Sequence, residues 1–376
     1  MKQREINGKR AVGLVVFLAA SLVPLALLPA VGSAKTLTPR AQTAQLSKYT
    51  QAAKAAEKPA LWQGPTAKAN APQGKKITVV TCTEALQGCA LLTKGAVSAA
   101  DALGWKTKVI DVTNSTGYNQ AVETAVAQGA NGIILVSVDA HTIVGGLAAA
   151  HAKHIPVVSI FQDNPVTKTG VGAEVSPNAT QQGQVLADYM ISTLQGKAHV
   201  LLLNDPEFLA PTRTLVAVKN QLNKCTVCSI DFAPQINFTS ADIGSTLANE
   251  VVGALRNDPT INAIVLGFDV PALEIVPAID AAGLQKQAKI YTQLGTTAAL
   301  GDINKGDVVA ADVSASAKWG GWAGVDELVR AFDHQPYIAE HVPSVLIVAG
   351  NVPSSGQPYV GLSSGFVQKY QKLWGR

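Results

Sequence analysis

Gly132-Ile133-Ile134-Leu135-Val136, the Ala-rich stretch from Ile143 to Lys153, and then Pro156-Val157-Val158-Ser159-Ile160 decide the fold. The two β-branched runs are too short for helices and too apolar for a half-solvated sheet, and the segment between them has helical length. The unit is strand, helix, strand, with parallel strands covered on both faces. The alternation continues outward. Ile77-Thr78-Val79-Val80 and Lys108-Val109-Ile110-Asp111-Val112 precede it, and His199-Val200-Leu201-Leu202-Leu203, Ala263-Ile264-Val265-Leu266 and Ala288-Lys289-Ile290-Tyr291 follow. Helical stretches at Ala90 to Leu103, Asn119 to Gln128, Pro177 to Leu194 and Thr246 to Arg256 separate these runs. Gly104, Gly129 and Gly283 stand where helices should stop, and Ser176-Pro177 reads as an N-cap followed by Pro at the first helical position. About ten strands are too many for one small sheet. The expected fold class is α/β, with two doubly wound parallel-sheet lobes.

In such sheets a ligand binds beyond the carboxyl ends of the strands. The candidate residues are therefore those just after each run. In the first lobe they are Thr81 to Gly88, with Thr83 and Glu84 foremost, then Ser137, Val138 and Asp139, then Phe161, Gln162 and Asp163. In the second they are Asn204 to Arg213, Phe268 and Asp269, and Thr292 to Thr296. Each has a competing structural reading. Asp139 suits an N-cap, Arg213 an exposed helix position, Phe161 and Phe268 a core at strand ends, and Asp163 a hinge turn with Pro165. Trp319 and Trp322 share a helix face, which points to lobe packing before ligand stacking.

The chain has 376 residues, 47% hydrophobic and 15% charged, the composition of an aliphatic globular protein. Its net charge is +4, but Lys2, Arg4, Lys9 and Arg10, less Glu5, supply most of it ahead of residue 35. The remainder gives no electrostatic case for nucleic acid. That basic start, the apolar run Ala11 to Leu28 and the small residues Val31-Gly32-Ser33-Ala34 read as a secretory signal cleaved near Ala34. An uncleaved anchor is the alternative, and Pro24 and Pro29 favour cleavage. The expected location is periplasmic or cell-exterior. In an oxidising compartment Cys82 with Cys89, and Cys225 with Cys228, read as two local disulfides in preference to a zinc or redox site. The six histidines show no metal spacing, and no cofactor is expected. Gly-x-x-x-x-Gly-Lys-Ser/Thr and His-Glu-x-x-His are absent from the sequence, so an enzyme is not expected.

The ordered series Gly95-Ala96-x-x-Ala99-Ala100-x-x-Leu103-Gly104-Trp105, Ala127-Gln128-Gly129-Ala130-Asn131-Gly132-Ile133-Ile134 and Ile155-Pro156-Val157-Val158 resembles the type I periplasmic solute-binding proteins of ABC importers, in the ribose-binding-like branch. The resemblance runs from about Lys76 to Phe332. The Trp62 arm, the Cys225 pair and Gly321-Trp322 with Asp326-Glu327 are similar to a less characterised subgroup. It implies two lobes joined by a three-crossover hinge that closes on a small molecule. It divides the chain into a signal peptide (1–34), an N-terminal arm or linker (35–75), an N-terminal lobe (76–165 plus 314–335) and a C-terminal lobe with tail (166–313 plus 336–376). Asp139, Arg213 and Asp269 fall where the family has ligand-binding Asp, Arg and Asp. Elsewhere the sugar site departs. A stacking aromatic stretch reads Leu86-Gln87-Gly88-Cys89, an Asp-Arg pair reads Phe161-Gln162, an Asn reads Phe268, an Asp reads Leu294 and a late Gln reads Ala315.

Each buried sugar hydroxyl left unpaired costs about 1–3 kcal/mol. Those replacements therefore point to a ligand less polar than a sugar, such as an aromatic, terpenoid or steroid acid, with Arg213 available to its carboxylate. A sugar of the family's usual kind is the alternative. The implied partners are a small-molecule ligand and a membrane ABC permease, with a chemoreceptor or sensor kinase as the alternative dock. Nucleic acid is not expected as a partner, and the chain is expected to be a monomer.

Overall fold

The computed structural model describes residues 39–376 apart from 60, 169, 354–356 and 362–364, with side chains from residue 43. The expected signal segment, residues 1–34, lies outside the described residues. Among those residues no helix is long and apolar enough to cross a membrane.

The chain opens with α1 (Pro39–Ala56) and an irregular stretch. The first lobe follows as β1 (Lys76–Cys82), α2 (Gln87–Ala102), β2 (Lys106–Val112), α3 (Tyr118–Ala127), β3 (Gly132–Val136), α4 (Val144–Ala152), β4 (Val157–Ile160) and β5 (Ala173–Val175). The second lobe is α5 (Ala179–Thr193), β6 (Lys197–Asn204), α6 (Leu209–Asn223), β7 (Ser229–Phe232), β8 (Ile236–Asn237), α7 (Leu247–Asn257), β9 (Ala263–Leu266), α8 (Ala272–Ala281), β10 (Lys289–Leu294), α9 (Thr297–Lys305) and β11 (Val309–Ala315). Then α10 (Ala317–Phe332) packs on α2, β12 (Ser344–Ile347) pairs with β11, and α11 (Phe366–Leu373) lies on α10.

The first sheet runs β2-β1-β3-β4-β5 and is wholly parallel. The second runs β12-β11-β10-β9-β6-β7, with β8 beside β6, and only the β11–β12 pair is antiparallel. In both, the first strand lies inside the sheet and later strands are added on either side. That arrangement opens a crevice at the carboxyl ends where the direction of addition reverses, between β1 and β3 and between β6 and β9. Every residue of β3, β4 and β9 is buried, as continuous apolar runs require. Where α2 crosses α10, Gly95 and Gly321 meet with no room for a side chain, since a Cβ on Gly321 would strike the Ala96 nitrogen.

The three glycines read as helix stops, Gly104, Gly129 and Gly283, all take positive φ, at 69°, 73° and 73°. The cap of α5 is different from expectation. Asn178 accepts from the Gln181 amide at 2.9 Å, whereas Ser176 is engaged in the interlobe crossing, where its carbonyl accepts from Val342. The lobe boundaries also move. The three-residue strand β5 lies past the expected end of the first lobe at 165, yet pairs with β4. β11 keeps the chain in the second sheet through Ala315. The tail, expected with the second lobe, returns to the first through α11.

The chain passes between lobes at 176–178, at Ser316 and along 333–343, and the flanks add two further connections. On one side α1 lies on α5, burying Tyr49 and Ala53 in the second lobe's core. The stretch after it then binds the first lobe, with Ala69 N–H donating to the Leu373 carbonyl at 3.1 Å and the Trp105 indole donating to the Pro72 carbonyl at 2.7 Å. Trp62 stacks on Trp319 with centroids 5.5 Å apart. On the other side, β12 leads into α11, whose end places Trp374 on Trp322 at 5.4 Å. Trp319 and Trp322 are packed side chains, as expected, and it is the flanks that cover their shared face.

Candidate functional site

Loops from the carboxyl ends of both sheets enclose a cavity of about 60 Å³. The first lobe contributes Leu86, Gly88 and Leu92 around the start of α2, Ser137 after β3 and Phe161 after β4. The second contributes Gln182 of α5, Phe208 before α6, Phe268 after β9, and Gln293 and Leu294 at the end of β10. None of the lining residues carries a charge. Phe208 and Phe268 meet edge to face at 5.5 Å. The few polar groups are largely used within the wall. The Ser137 hydroxyl donates to the Phe161 carbonyl at 3.2 Å, Gln182 donates to Gln293 Oε1 and the Val313 carbonyl, each at 3.2 Å, and Gln293 donates to the Gly267 carbonyl at 2.6 Å.

Four non-glycine residues around this cavity have left-handed backbone: Ser137 (φ 51°), Phe161 (φ 59°), Asp163 (φ 64°) and Leu294 (φ 126°). Such conformations cost on the order of 1–3 kcal/mol each and persist where the surroundings over-determine them, typically at ligand clamps. At Phe161 the turn drives the ring against Gly320, where a Cβ would not fit. At Leu294 it carries the side chain across to the first lobe, so a Cβ on Gly88 would lie 2.7 Å from Leu294 Cδ2.

The lobes are shut. Gln162 donates across the gap to the Glu207 carbonyl at 3.2 Å, Thr297 N–H donates to Gln87 Oε1 at 3.0 Å, and Arg213 of α6 ion-pairs with Asp163 of the first lobe. Burial, aided by Glu207 and Asp205 of the facing lobe, pushes the Tyr118 phenol up to about 12. Asp205 is itself raised to about 7 by burial, against the hydrogen bond it accepts from Glu207 N–H.

The sequence-derived candidates divide into three groups. Phe161, Phe268 and Leu294 line one cavity. Gln162, Asp163 and Arg213 form the contacts that bridge the lobes, and the Arg213 guanidinium is already paired. Thr83, Glu84, Asp139 and Asp269 do not line the cavity. Asp139 accepts from His141 N–H at 2.9 Å as a cap, and Glu84 is exposed with its N–H on Asp111. Asp269 is wholly buried and accepts from the Gly295 and Thr296 amides at 3.0 and 2.6 Å. The two cysteine pairs are bonded, Cys82 to Cys89 and Cys225 to Cys228, and Cys89 also lies in the cavity wall.

Of the other lining residues, Leu86, Ser137, Phe208 and Gln293 lie in the stretches after strands that the sequence reading took in without singling them out, whereas Leu92 and Gln182 lie outside those stretches. Position after a strand could have picked out the first four. Gln182 could not, because it reaches the site from a hinge-side helix.

A larger hollow of about 1200 Å³ opens near Lys75, Asn131 and Pro156, at the amino ends of β1, β3 and β4. Parallel sheets seldom bind ligands at that end, and the second lobe contributes nothing to it. The interlobe cavity is the candidate site.

Comparison with known proteins agrees with this geometry. The family described as a periplasmic binding protein domain matches residues 77–336. The D-apiose import binding protein of Actinobacillus succinogenes is 26% identical over 50% of this chain and 60% of its own length. The ribose import binding protein RbsB of Haemophilus influenzae is 32% identical over 30% of this chain and 38% of its own length. The matches thus span less than two thirds of these curated relatives. Among solved structures, a solute-binding protein from Agrobacterium vitis with bound allitol superposes with a TM-score of 0.68, at 19% identity, over 74% of this chain and 97% of that one. A Caulobacter myo-inositol binding protein gives 0.67 at 20% identity, over 76% and 97%. With two parallel-sheet lobes closed over a cavity at their strand ends, and a family match that covers most of its length, the chain belongs to the type I periplasmic binding proteins, in their ribose-binding-like form.

Proposed function

We propose that this protein is the extracytoplasmic solute-binding subunit of an ABC importer, and that its solute is a compact, uncharged molecule less polar than a sugar. The observation that carries the second part is the cavity wall, in which Leu86, Leu92, Phe161, Phe208, Phe268 and Leu294 stand with no charged residue and with amides already bonded to one another. A hexose placed there would leave several hydroxyls without partners, at about 1–3 kcal/mol each. Arg213 is engaged by Asp163, so the wall offers no cation for the acid group that the sequence suggested. The volume argues for a small solute, since a cavity of about 150 Å³ is what benzene fills, and terpenoid or steroid skeletons are correspondingly disfavoured.

Capture follows from contacts that exist only when the lobes meet. A solute touching Phe161 from one side and Phe268 and Leu294 from the other favours the closed state by its differential affinity for it. The closed form is then what a membrane permease receives. A sugar or polyol solute is the second reading, favoured by the apiose, ribose, allitol and myo-inositol in the names of the relatives.

A thermal-shift panel separates the two. It sets ribose, apiose, allitol and myo-inositol against neutral aromatic and alicyclic alcohols, ketones and lactones, each at equal concentration. Binding adds about RT ln(1 + [L]/Kd) of stability. We expect stabilisation by the second group only; a response confined to the sugars and polyols would replace this reading with the second.

A further inference from the structure

Beneath the Leu294–Gly295 turn, which forms one wall of the cavity, lies a buried pair of carboxyl groups. Asp269 follows β9, Asp312 lies on β11 opposite Thr292 in the register with β10, and both side chains are wholly buried. Asp269 Oδ2 accepts from the Gly295 and Thr296 amides, and Asp312 Oδ1 accepts from the Ser314 hydroxyl at 2.5 Å. Among the described residues, their other oxygens, Asp269 Oδ1 and Asp312 Oδ2, have no hydrogen-bond partner. The two carboxyls are within hydrogen-bonding reach of each other.

Among the described residues no cation faces the pair. Around the pair stand the hydroxyls of Thr292 from β10, Thr296 from the turn before α9 and Ser314 from β11. The tail adds Tyr359, whose N–H donates to the Gly295 carbonyl at 2.8 Å and whose phenol burial keeps neutral. Two carboxylates in contact in such a place repel strongly, while a single proton between the orphan oxygens satisfies both.

We propose that Asp269 and Asp312 share one proton, and that this acid–carboxylate pair is the positioning element that holds the Leu294–Gly295 turn against the cleft. With a proton between them, Asp269 can present its remaining oxygen to two consecutive amides, fix Gly295 at φ 92° and so direct Leu294 toward Gly88. Without it, repulsion pushes the strand ends apart at the turn that closes the site. Burial raises the Asp269 carboxyl to about 6, and burial followed by the charge of Asp269 raises Asp312 well above the carboxylate range. The sign follows from linkage. The folded pair retains a proton that an unfolded chain releases at ordinary aspartate pH, so its contribution is full below about 4 and is lost as pH rises through 6 and beyond.

The test needs no solute, so its outcome is independent of the proposed function. Asp312→Asn keeps a donor toward Asp269 and removes the shared proton. Denaturation of wild type and variant across pH 5 to 8 should show wild type releasing about one more proton on unfolding near pH 7 than the variant does. Hydrogen exchange at the Gly295 and Thr296 amides, corrected for intrinsic rates, should lose protection above pH 7 in wild type and keep it in Asp312→Asn. Should that variant not fold, infrared difference spectra of wild type between pH 5 and 8 should show the carbonyl band of a protonated carboxylic acid that persists at neutral pH. Equal proton release in the two proteins, pH-independent protection at both amides, or absence of that band at neutral pH would each overturn the shared proton.

Discussion

The two-lobed core and the flanks that wrap it are held by different kinds of contact. In the core, apolar strands pair with their neighbours and bury continuous β-branched surface, as at Ile133-Ile134-Leu135-Val136, where every side chain is enclosed. In the flanks, aromatic rings from opposite ends of the chain converge on α10, and their polar edges reach buried acids. The Trp374 indole donates to Asp326 at 2.6 Å, the Tyr370 hydroxyl donates to Glu340 at 2.5 Å, and Arg330 pairs with Asp326 at 2.6 Å. The core therefore gains its energy from area, whereas the flanks gain theirs from a few specific pairs in a low-dielectric pocket. Removing one member should be felt far more there than in the area-driven core.

Trp374→Ala should give the largest effect, because it empties the stack on Trp322 and removes the indole donor from buried Asp326 Oδ1. A loss of about 3–5 kcal/mol in chemical denaturation is expected, and a loss below 1 kcal/mol would mean that the tail adds little to the first lobe. Replacing both Cys225 and Cys228 by Ser tests a purely local staple at the far end of the second lobe. Its short loop sets the loss at about 2 kcal/mol in the chain-entropy model, with the first lobe's hydrogen exchange unaltered. Trp62→Ala removes a half-buried ring that stacks on Trp319, and about 1 kcal/mol is expected. It should also release α1, visible as faster exchange along residues 43–57 while both sheets stay protected. Gly88→Leu touches stability least and function most. The added side chain meets Leu294 only when the lobes are shut, so solute affinity should fall at least tenfold while the unfolding midpoint of the solute-free protein moves little. A parallel fall in both would show that the lobes depend on this contact for folding.

The same contrast explains what could be read from the sequence. Strands β1, β2, β3, β4, β6, β9 and β10 were legible because each is an apolar run between Gly or Pro punctuation, and the doubly wound arrangement followed from their number and spacing. β11 escaped notice because Asp312 and Ser314 interrupt its apolar pattern, and those residues are polar for the sake of the turn beside them. β5 is three residues long and β12 pairs antiparallel after a long connection, so neither carries a periodic signal. At the site, position after a strand was enough to find Phe161, Phe268 and Leu294. It misplaced Asp269 because a carboxylate at a strand end looks the same from the sequence whether it faces a solute or caps a turn from below. The pairing of Arg213 with Asp163 was equally hidden, since the two are 50 residues apart and meet only when the lobes close. The flanks were legible as an arm and a tail, but which lobe each would bind depended on aromatic contacts over nearly the whole chain length.

The central claim is that the apolar gap between the lobes is where a weakly polar solute is held. A crystal structure with the most stabilising compound from the panel tests it most directly. The account predicts that compound among Phe161, Phe208, Phe268 and Leu294, with the lobes closed and its chemistry unchanged. Density for it elsewhere on the molecule, or for a sugar hydrogen-bonded through an opened cleft, would contradict the account.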